Sequence, residues 1–215
     1  MSVVVKICGL STLETLDAAL DAGADMVGFV FFPKSPRHIT HDQARMLGAA
    51  VKGRASKVAL AVDADDDQLS AIIEALAPDC LQLHGHETPE RVLDVKKRFG
   101  LPVMKVLSMA EAADLTAIPL YETVADRLLF DAKPPKTSVL PGGNGVSFDW
   151  GLLAGLSMRL PYMLSGGLDA GNVAKALAMT GAWGVDVSSG VETAPGQKDQ
   201  ALIRGFVAAV RAAAV

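Results

Sequence analysis

Cysteine is scarce. Cys8 and Cys80 are the only two in 215 residues, and both sit inside apolar segments rather than at framework spacings. That excludes a disulfide-stapled scaffold and predicts free thiols in a reducing compartment. An excess of positive charge is also lacking: 20 basic residues are scattered among 24 acidic ones, for a formal net charge of -4. No basic stripe is left for nucleic acid or an anionic membrane. No apolar stretch is long enough to span a bilayer, and Met1 to Cys8 runs straight into β-rich sequence without a signal-peptide pattern. A cytoplasmic location is expected. There is no G-x-G-x-x-G after the first strand and no G-x-x-x-x-G-K-[ST], so no nucleotide cofactor is implied. His84 and His86 form an H-x-H without a further ligand at metal spacing, while His38 and His41 lie in a different loop. No metal is expected.

What is present is an alternation. Half of the residues are hydrophobic, enough for one substantial core, and a single domain over 1–215 is expected. Short Val/Ile/Leu-rich runs predict strands at Val3 to Cys8, Met26 to Phe31, Lys57 to Val62, Cys80 to His84, Pro102 to Leu107, Arg127 to Asp131, Tyr162 to Ser165 and Gly184 to Val187. Helical periodicity follows each of them: Thr12 to Ala22, His41 to Val51, Asp66 to Leu76, Pro89 to Phe99, Ala110 to Ile118, Trp150 to Leu156, Ala170 to Thr180 and Gln200 to Ala213. Eight such units in this length predict an α/β fold, a closed (β/α)8 TIM barrel, with an open doubly wound sheet as the alternative. The one long connection, Ala132 to Ser147, is rich in Pro, Gly and Lys, and a loop of that length is usually functional or disordered.

Active sites of such barrels lie at the C-terminal ends of the strands. Alternation turns Val3, Val5 and Ile7 outward and Val4, Lys6 and Cys8 inward. It likewise puts Gln82, His84, Asp131 and Asp186 inside, with Leu81, Leu83, Leu128, Phe130, Val185 and Val187 outside. Burying unpaired polar groups costs roughly 2–7 kcal/mol each, so this convergence predicts a site. Singly, each has a plainer reading: Cys8 as a small hydrophobe, Asp131 as a loop cap, Asp186 as a structural acceptor. Lys6 beside Cys8 favours thiolate over thiol, which predicts a base near neutral pH. Two glycine turns, Ser165-Gly166-Gly167-Leu168 and Ser188-Ser189-Gly190-Val191, follow the seventh and eighth strands. Such barrels often bind phosphate there through main-chain N–H groups, although tight turns needing positive φ would look the same. Asp169 is expected to cap the seventh helix.

The ordered set of motifs resembles the phosphoribosylanthranilate isomerase family from end to end. It comprises Lys6-Ile7-Cys8-Gly9, Gly28-Phe29-Val30-Phe31 through Ser35-Pro36-Arg37, Gln82-Leu83-His84-Gly85, Asp131 with Pro141-Gly142-Gly143-Asn144-Gly145, Phe148-Asp149-Trp150, Ser165-Gly166-Gly167-Leu168 and Asp186 through Glu192. The resemblance implies a barrel enzyme of tryptophan biosynthesis performing an Amadori rearrangement without metal or coenzyme. By resemblance, Asp131 is the general acid and Cys8 the general base, and Arg37 pairs its guanidinium fork with the anthranilate carboxylate. A solvated loop charge is the plainer reading of Arg37. Lys6, Gln82, His84 and Asp186 are expected to bind substrate, and Gly166, Gly167, Ser189 and Gly190 to hold its phosphate. Gly142, Gly143 and Gly145 belong to a loop expected to close over the site. Asn144 stands where the family often has Thr or Ser, which leaves that loop's side-chain contact open.

A related aminoaldose isomerase of histidine biosynthesis shares the barrel and the reaction type, but its first strand is expected to end in Asp rather than Cys8. A non-catalytic phosphate sensor would not need both Cys8 and Asp131, and a metal-dependent epimerase would need more ligands than His84 and His86. The expected partner is therefore a small-molecule substrate. A monomer is the expected state, with a homodimer as the alternative.

Overall fold

The computed structural model describes residues 2–135, 138 and 140–213. Lys136, Thr137 and Val139 of the long connection, and the extreme ends of the expected domain, lie outside the described residues.

The parallel strands β1 (Val4–Cys8), β2 (Met26–Phe31), β3 (Ser56–Ala61), β4 (Cys80–Leu83), β5 (Val103–Met109), β6 (Arg127–Ala132), β7 (Tyr162–Leu164) and β8 (Gly184–Val187) pair in sequence order. β8 returns to β1 with Lys6 opposite Asp186, which closes the barrel. The open-sheet alternative is thereby excluded. Outward side chains such as Val5, Ile7, Leu81, Leu83, Leu128, Phe130, Val185 and Val187 join the core beneath the helices, as period-two alternation requires. Inward side chains form a dry floor of Met26, Val58, Cys80, Met104, Val106, Leu129 and Met163. Above it lie the polar groups.

Helices α1 (Leu13–Asp21), α2 (His41–Val51), α3 (Asp66–Leu76) and α4 (Pro89–Phe99) begin where local chemistry specifies a start. Thr12, Thr40, Asp65 and Thr88 each accept a hydrogen bond from a first-turn amide, with full capping boxes at Thr40/Gln43 and Asp65/Gln68. Helix α7 (Gln200–Ala213) also lies where its periodicity places it.

Three expectations fail. After β5 the chain forms a 3-10 turn over Ala112–Ala117 and then a short α5 (Ile118–Glu122), because Asp114 accepts from the amides of Ala110 and Glu111 and tightens the entry. After β6, Trp150 to Leu156 is not an α-helix but a 3-10 turn over Trp150–Leu153. Gly151 and Gly155 leave too few good helix formers to offset nucleation. Helix α6 (Val173–Thr180) has Asn172, not Asp169, at its N-cap. The Asp169 carboxylate instead accepts from Gly171 and Asn172, building a separate turn ahead of the helix. A small antiparallel hairpin, β9 (Glu192–Ala194) and β10 (Gln197–Lys198), is an addition between β8 and α7 that periodicity did not announce.

Candidate active site

A cavity opens at the C-terminal end of the barrel. Cys8, Arg37, Gln82, His84, Asp131, Gly142, Gly143, Gly166, Gly167, Asp186, Ser189 and Gly190 all line it. Of the expected site residues only Lys6 lies below the surface of the cavity, fully buried.

Lys6 acts from underneath. Its ammonium donates to Asp186 at 2.7 Å, and Ser165 holds the other oxygen of that carboxylate at 3.3 Å. Burial would push the lysine down, but Asp186 and Cys8 outweigh it and hold the ammonium above its usual range. Removing one member of such a buried pair typically costs about 3–5 kcal/mol. The thiol of Cys8 sits beside this pair, and both need Gly28 across the sheet: a Cβ there would come to 2.9 Å from the Cys8 sulfur and 3.1 Å from the Lys6 nitrogen. A resting thiolate, which the sequence leaves open, is not what this arrangement favours. Burial pushes the Cys8 thiol up, Lys6 opposes it only in part, and Asp186 adds to the rise. The ammonium that would favour the thiolate comes with the Asp186 carboxylate bonded to it, whose charge works against the thiolate.

Asp131 faces the cavity from β6. One of its oxygens accepts the Ala132 amide at 2.8 Å, and the other lies 3.4 Å from Nε2 of His84. Gly142 of the long loop covers this pair so closely that a Cβ would overlap the Asp131 carboxylate. The loop is fastened by Asn144, whose amide donates to the Leu140 carbonyl and accepts from the Ser138 hydroxyl. The side-chain contact left open at this position is thus a contact of the loop with itself. Gln82 is completely buried with neither amide atom bonded. A polar group so placed favours a ligand that supplies the missing partners. His86, in contrast, is turned outward to Asp63 and does not share the cavity with His84.

Arg37 is not a solvated loop charge, being only 5 % exposed. Nor is its whole fork available. Nε and Nη2 donate to the two oxygens of Glu192, each at 2.8 Å, and Nη2 also reaches the Gly143 carbonyl at 3.1 Å. Nη1 is the part left to meet an anion. Glu192 in turn accepts from Lys198 at 2.7 Å, and Lys198 also donates to the carbonyl and hydroxyl of Ser188. Burial would raise the Glu192 carboxyl, but its two cations hold it below its ordinary value. Lys198 is pushed down to about 8, burial outweighing Glu192. Lys198 escaped the sequence reading because it is brought to the site by the β9–β10 hairpin; its nearness to Glu192 across a Pro-Gly turn was the available signal.

The two glycine turns meet below one side of the mouth. Gly166 and Gly167 have φ of +87° and +65°, a region L side chains rarely enter. Gly190 packs on the other turn so tightly that a Cβ would overlap the Leu168 carbonyl oxygen. A backbone carbonyl cannot step aside as a side chain can. Gly190→Ala is therefore expected to cost about 1–3 kcal/mol, the usual range for overpacking, and to raise KM by displacing the loop. Urea unfolding together with steady-state kinetics checks both, and an unchanged KM would show that the loop tolerates the shift. The opposite wall is apolar: Val30, Leu60, Phe32 and Val62 pack beside Cys8. Phe32 and Val62 were legible by alternation as residues continuing the inward faces of β2 and β3.

Comparison with known proteins gives a consistent result. The family model for N-(5'-phosphoribosyl)anthranilate (PRA) isomerase matches residues 5–209. The N-(5'-phosphoribosyl)anthranilate isomerase of Rhodopseudomonas palustris (strain HaA2) is 64% identical over 212 residues, covering 99% of this chain and 97% of that protein. The crystal structure of phosphoribosyl anthranilate isomerase from Thermotoga maritima superposes with a TM-score of 0.88 at 32% identity, covering 98% of this chain and 99% of that one. A phosphoribosyl anthranilate isomerase in complex with reduced 1-(o-carboxyphenylamino)-1-deoxyribulose 5-phosphate superposes with a TM-score of 0.82 at 29% identity, over 98% and 99% of the two chains.

Proposed function

Because this chain belongs to the N-(5'-phosphoribosyl)anthranilate isomerase family, we propose that Cys8 and Asp131 carry the acid–base chemistry of that reaction. The activity is the rearrangement of N-(5-phosphoribosyl)anthranilate to 1-(2-carboxyphenylamino)-1-deoxyribulose 5-phosphate in tryptophan biosynthesis. The observation that carries the residue roles is a single cavity with Cys8 and Asp131 on its wall, a cation at one anion position and two glycine turns at another.

Asp131 delivers its proton to the ring oxygen of the sugar as the C1–O bond breaks, and the anthranilate nitrogen lone pair forms the C=N bond. The minor thiolate fraction of Cys8, in equilibrium with the thiol, takes the proton from C2, and those electrons return to nitrogen as an enolamine. Loss of the C2 hydroxyl proton and protonation at C1 then give the ketose. Every step is a proton transfer, with C2 oxidised as C1 is reduced, so the balance calls for no external electron acceptor. Nη1 of Arg37 meets the anthranilate carboxylate, and the aromatic ring lies on Val30, Phe32, Leu60 and Val62. The phosphate sits at Gly166, Gly167, Ser189 and Gly190, held by main-chain donors. Gln82 and His84 bind the sugar, and the loop carrying Gly142, Gly143 and Gly145 excludes water from the imine. Lys6 and Asp186 fix the charge beneath Cys8. All of these groups come from one chain, so a monomer contains the complete site. No helix among the described residues is long and apolar enough to cross a membrane, and the proposed location is the cytoplasm.

The test is a fluorescence assay following consumption of freshly generated substrate by purified enzyme in EDTA. Turnover supports a route without metal; none by wild type would favour the histidine-pathway isomerase or a sensor. Since Arg37 binds rather than reacts, Arg37→Ala is expected to raise KM by about 10- to 100-fold, the scale of a charge-assisted contact of about 1.5–3 kcal/mol. A loss confined to kcat would contradict that role.

A further inference from the structure

Outside the cavity the barrel wall holds a buried ion pair that the acid–base scheme does not use. Lys105 on β5 points outward, into the layer where Val103, Leu107 and Met109 are apolar, and is only 2 % exposed. Its ammonium donates to Glu87 at 2.7 Å and to the carbonyls of Gly85 and Leu83 at 2.8 and 3.3 Å. Those two carbonyls flank His84. Glu87 completes the clamp by accepting the amide of Gly85 at 2.9 Å and that of Asp63, in the loop that follows β3, also at 2.9 Å. The Tyr121 hydroxyl donates to the Glu87 carbonyl from α5. A lysine and a glutamate out of water are expensive, and a well-packed apolar pair would often serve stability as well or better. Packing is therefore a poor account of why charges stand here. What the pair holds is the backbone on both sides of the one histidine that touches Asp131.

We infer that Lys105 and Glu87 are positioning residues, which set the His84 imidazole against the Asp131 carboxylate by clamping the peptide groups before and after it. The inference rests on the reading of Asp131 as the general acid. Neither residue touches the cavity, so their effect on turnover has to pass through His84.

Lys105→Met alone would strand a buried carboxylate, so the variant to make is Lys105→Met/Glu87→Gln, which removes both charges and keeps the volumes. It is compared with wild type, with His84→Asn, and with the triple variant. Displacements of about 1 Å at a reacting group can cost up to 10²-fold in rate, and a kcat loss of roughly 10-fold is expected for the double variant, beside any change in KM from the sugar contact of His84. In the His84→Asn background the same two substitutions should cost nothing further, a non-additivity that general loosening of the fold would not produce. A double variant with wild-type kcat, or a full multiplicative loss on top of His84→Asn, overturns the inference while leaving Asp131 as the acid. Wild-type kcat in His84→Asn overturns it too, by removing the histidine from the chemistry. An Asp131→Asn enzyme that still turns over normally would instead refute the underlying assignment.

Discussion

Asp131→Asn is expected to lower kcat by roughly 10²-fold or more, the usual scale for a general acid, with little change in KM or in unfolding midpoint. The substitution isolates the proton. Asparagine keeps the shape, its side-chain oxygen can still accept the Ala132 amide as the carboxylate does, and the 3.4 Å approach of His84 needs no charge to fit. What it cannot do is protonate the leaving ring oxygen. Steady-state kinetics with urea unfolding separates the outcomes. Turnover near that of wild type in a folded protein would reject the role.

Cys8→Ala is expected to show a loss of at least the same order, roughly 10²-fold in kcat, because the proposed step at C2 gives its proton to the Cys8 sulfur. The fold should survive. Cys8 is one small side chain on the inner wall, and the Lys6–Asp186 pair beneath it keeps its own 2.7 Å hydrogen bond. The thiol also makes a prediction about pH: held up by burial and by Asp186, it should alkylate slowly at neutral pH and accelerate only above the usual thiol value. Iodoacetamide labelling of wild type and Cys8→Ala across pH gives the curve. The second thiol interferes little, since Cys80 is part of the sealed floor and burial pushes it up to about 11. Fast labelling of Cys8 at neutral pH would instead indicate a resting thiolate.

The resting state of that thiol is instructive. Placing Lys6 and Cys8 on one face of a strand needs only a period of two, and the sequence supports it. Whether the lysine charge is free to act on the sulfur depends on Asp186, which is 180 positions away along the chain and becomes its neighbour only when β8 closes on β1. Arg37 teaches the same lesson from the other side. Its presence in the site was legible from its motif, but the share of its guanidinium already taken by Glu192, 155 positions distant, was not.

Local codes were read well where they are strong. Helical period places α2, α3 and α4 at bounds that the capping side chains of Thr40, Asp65 and Thr88 fix in the structure, and alternation sorts the inner and outer faces of β1, β4, β6 and β8. They failed where the code is weak. Gly151 and Gly155 interrupt the segment after β6, and the Asp169 carboxylate closes a turn onto Gly171 and Asn172 ahead of α6, so competing local hydrogen bonds decided the outcome.

The sequence by itself determined the strand count, the inward set that includes Cys8, Gln82, His84, Asp131 and Asp186, and the two glycine turns, because each follows from short-range periodicity or backbone sterics. Only the tertiary structure decided which charges neutralise one another: Lys6 with Asp186, Arg37 and Lys198 with Glu192, and Lys105 with Glu87. Electrostatic balance in a dry interior depends on distances between residues that the chain keeps far apart until the barrel closes.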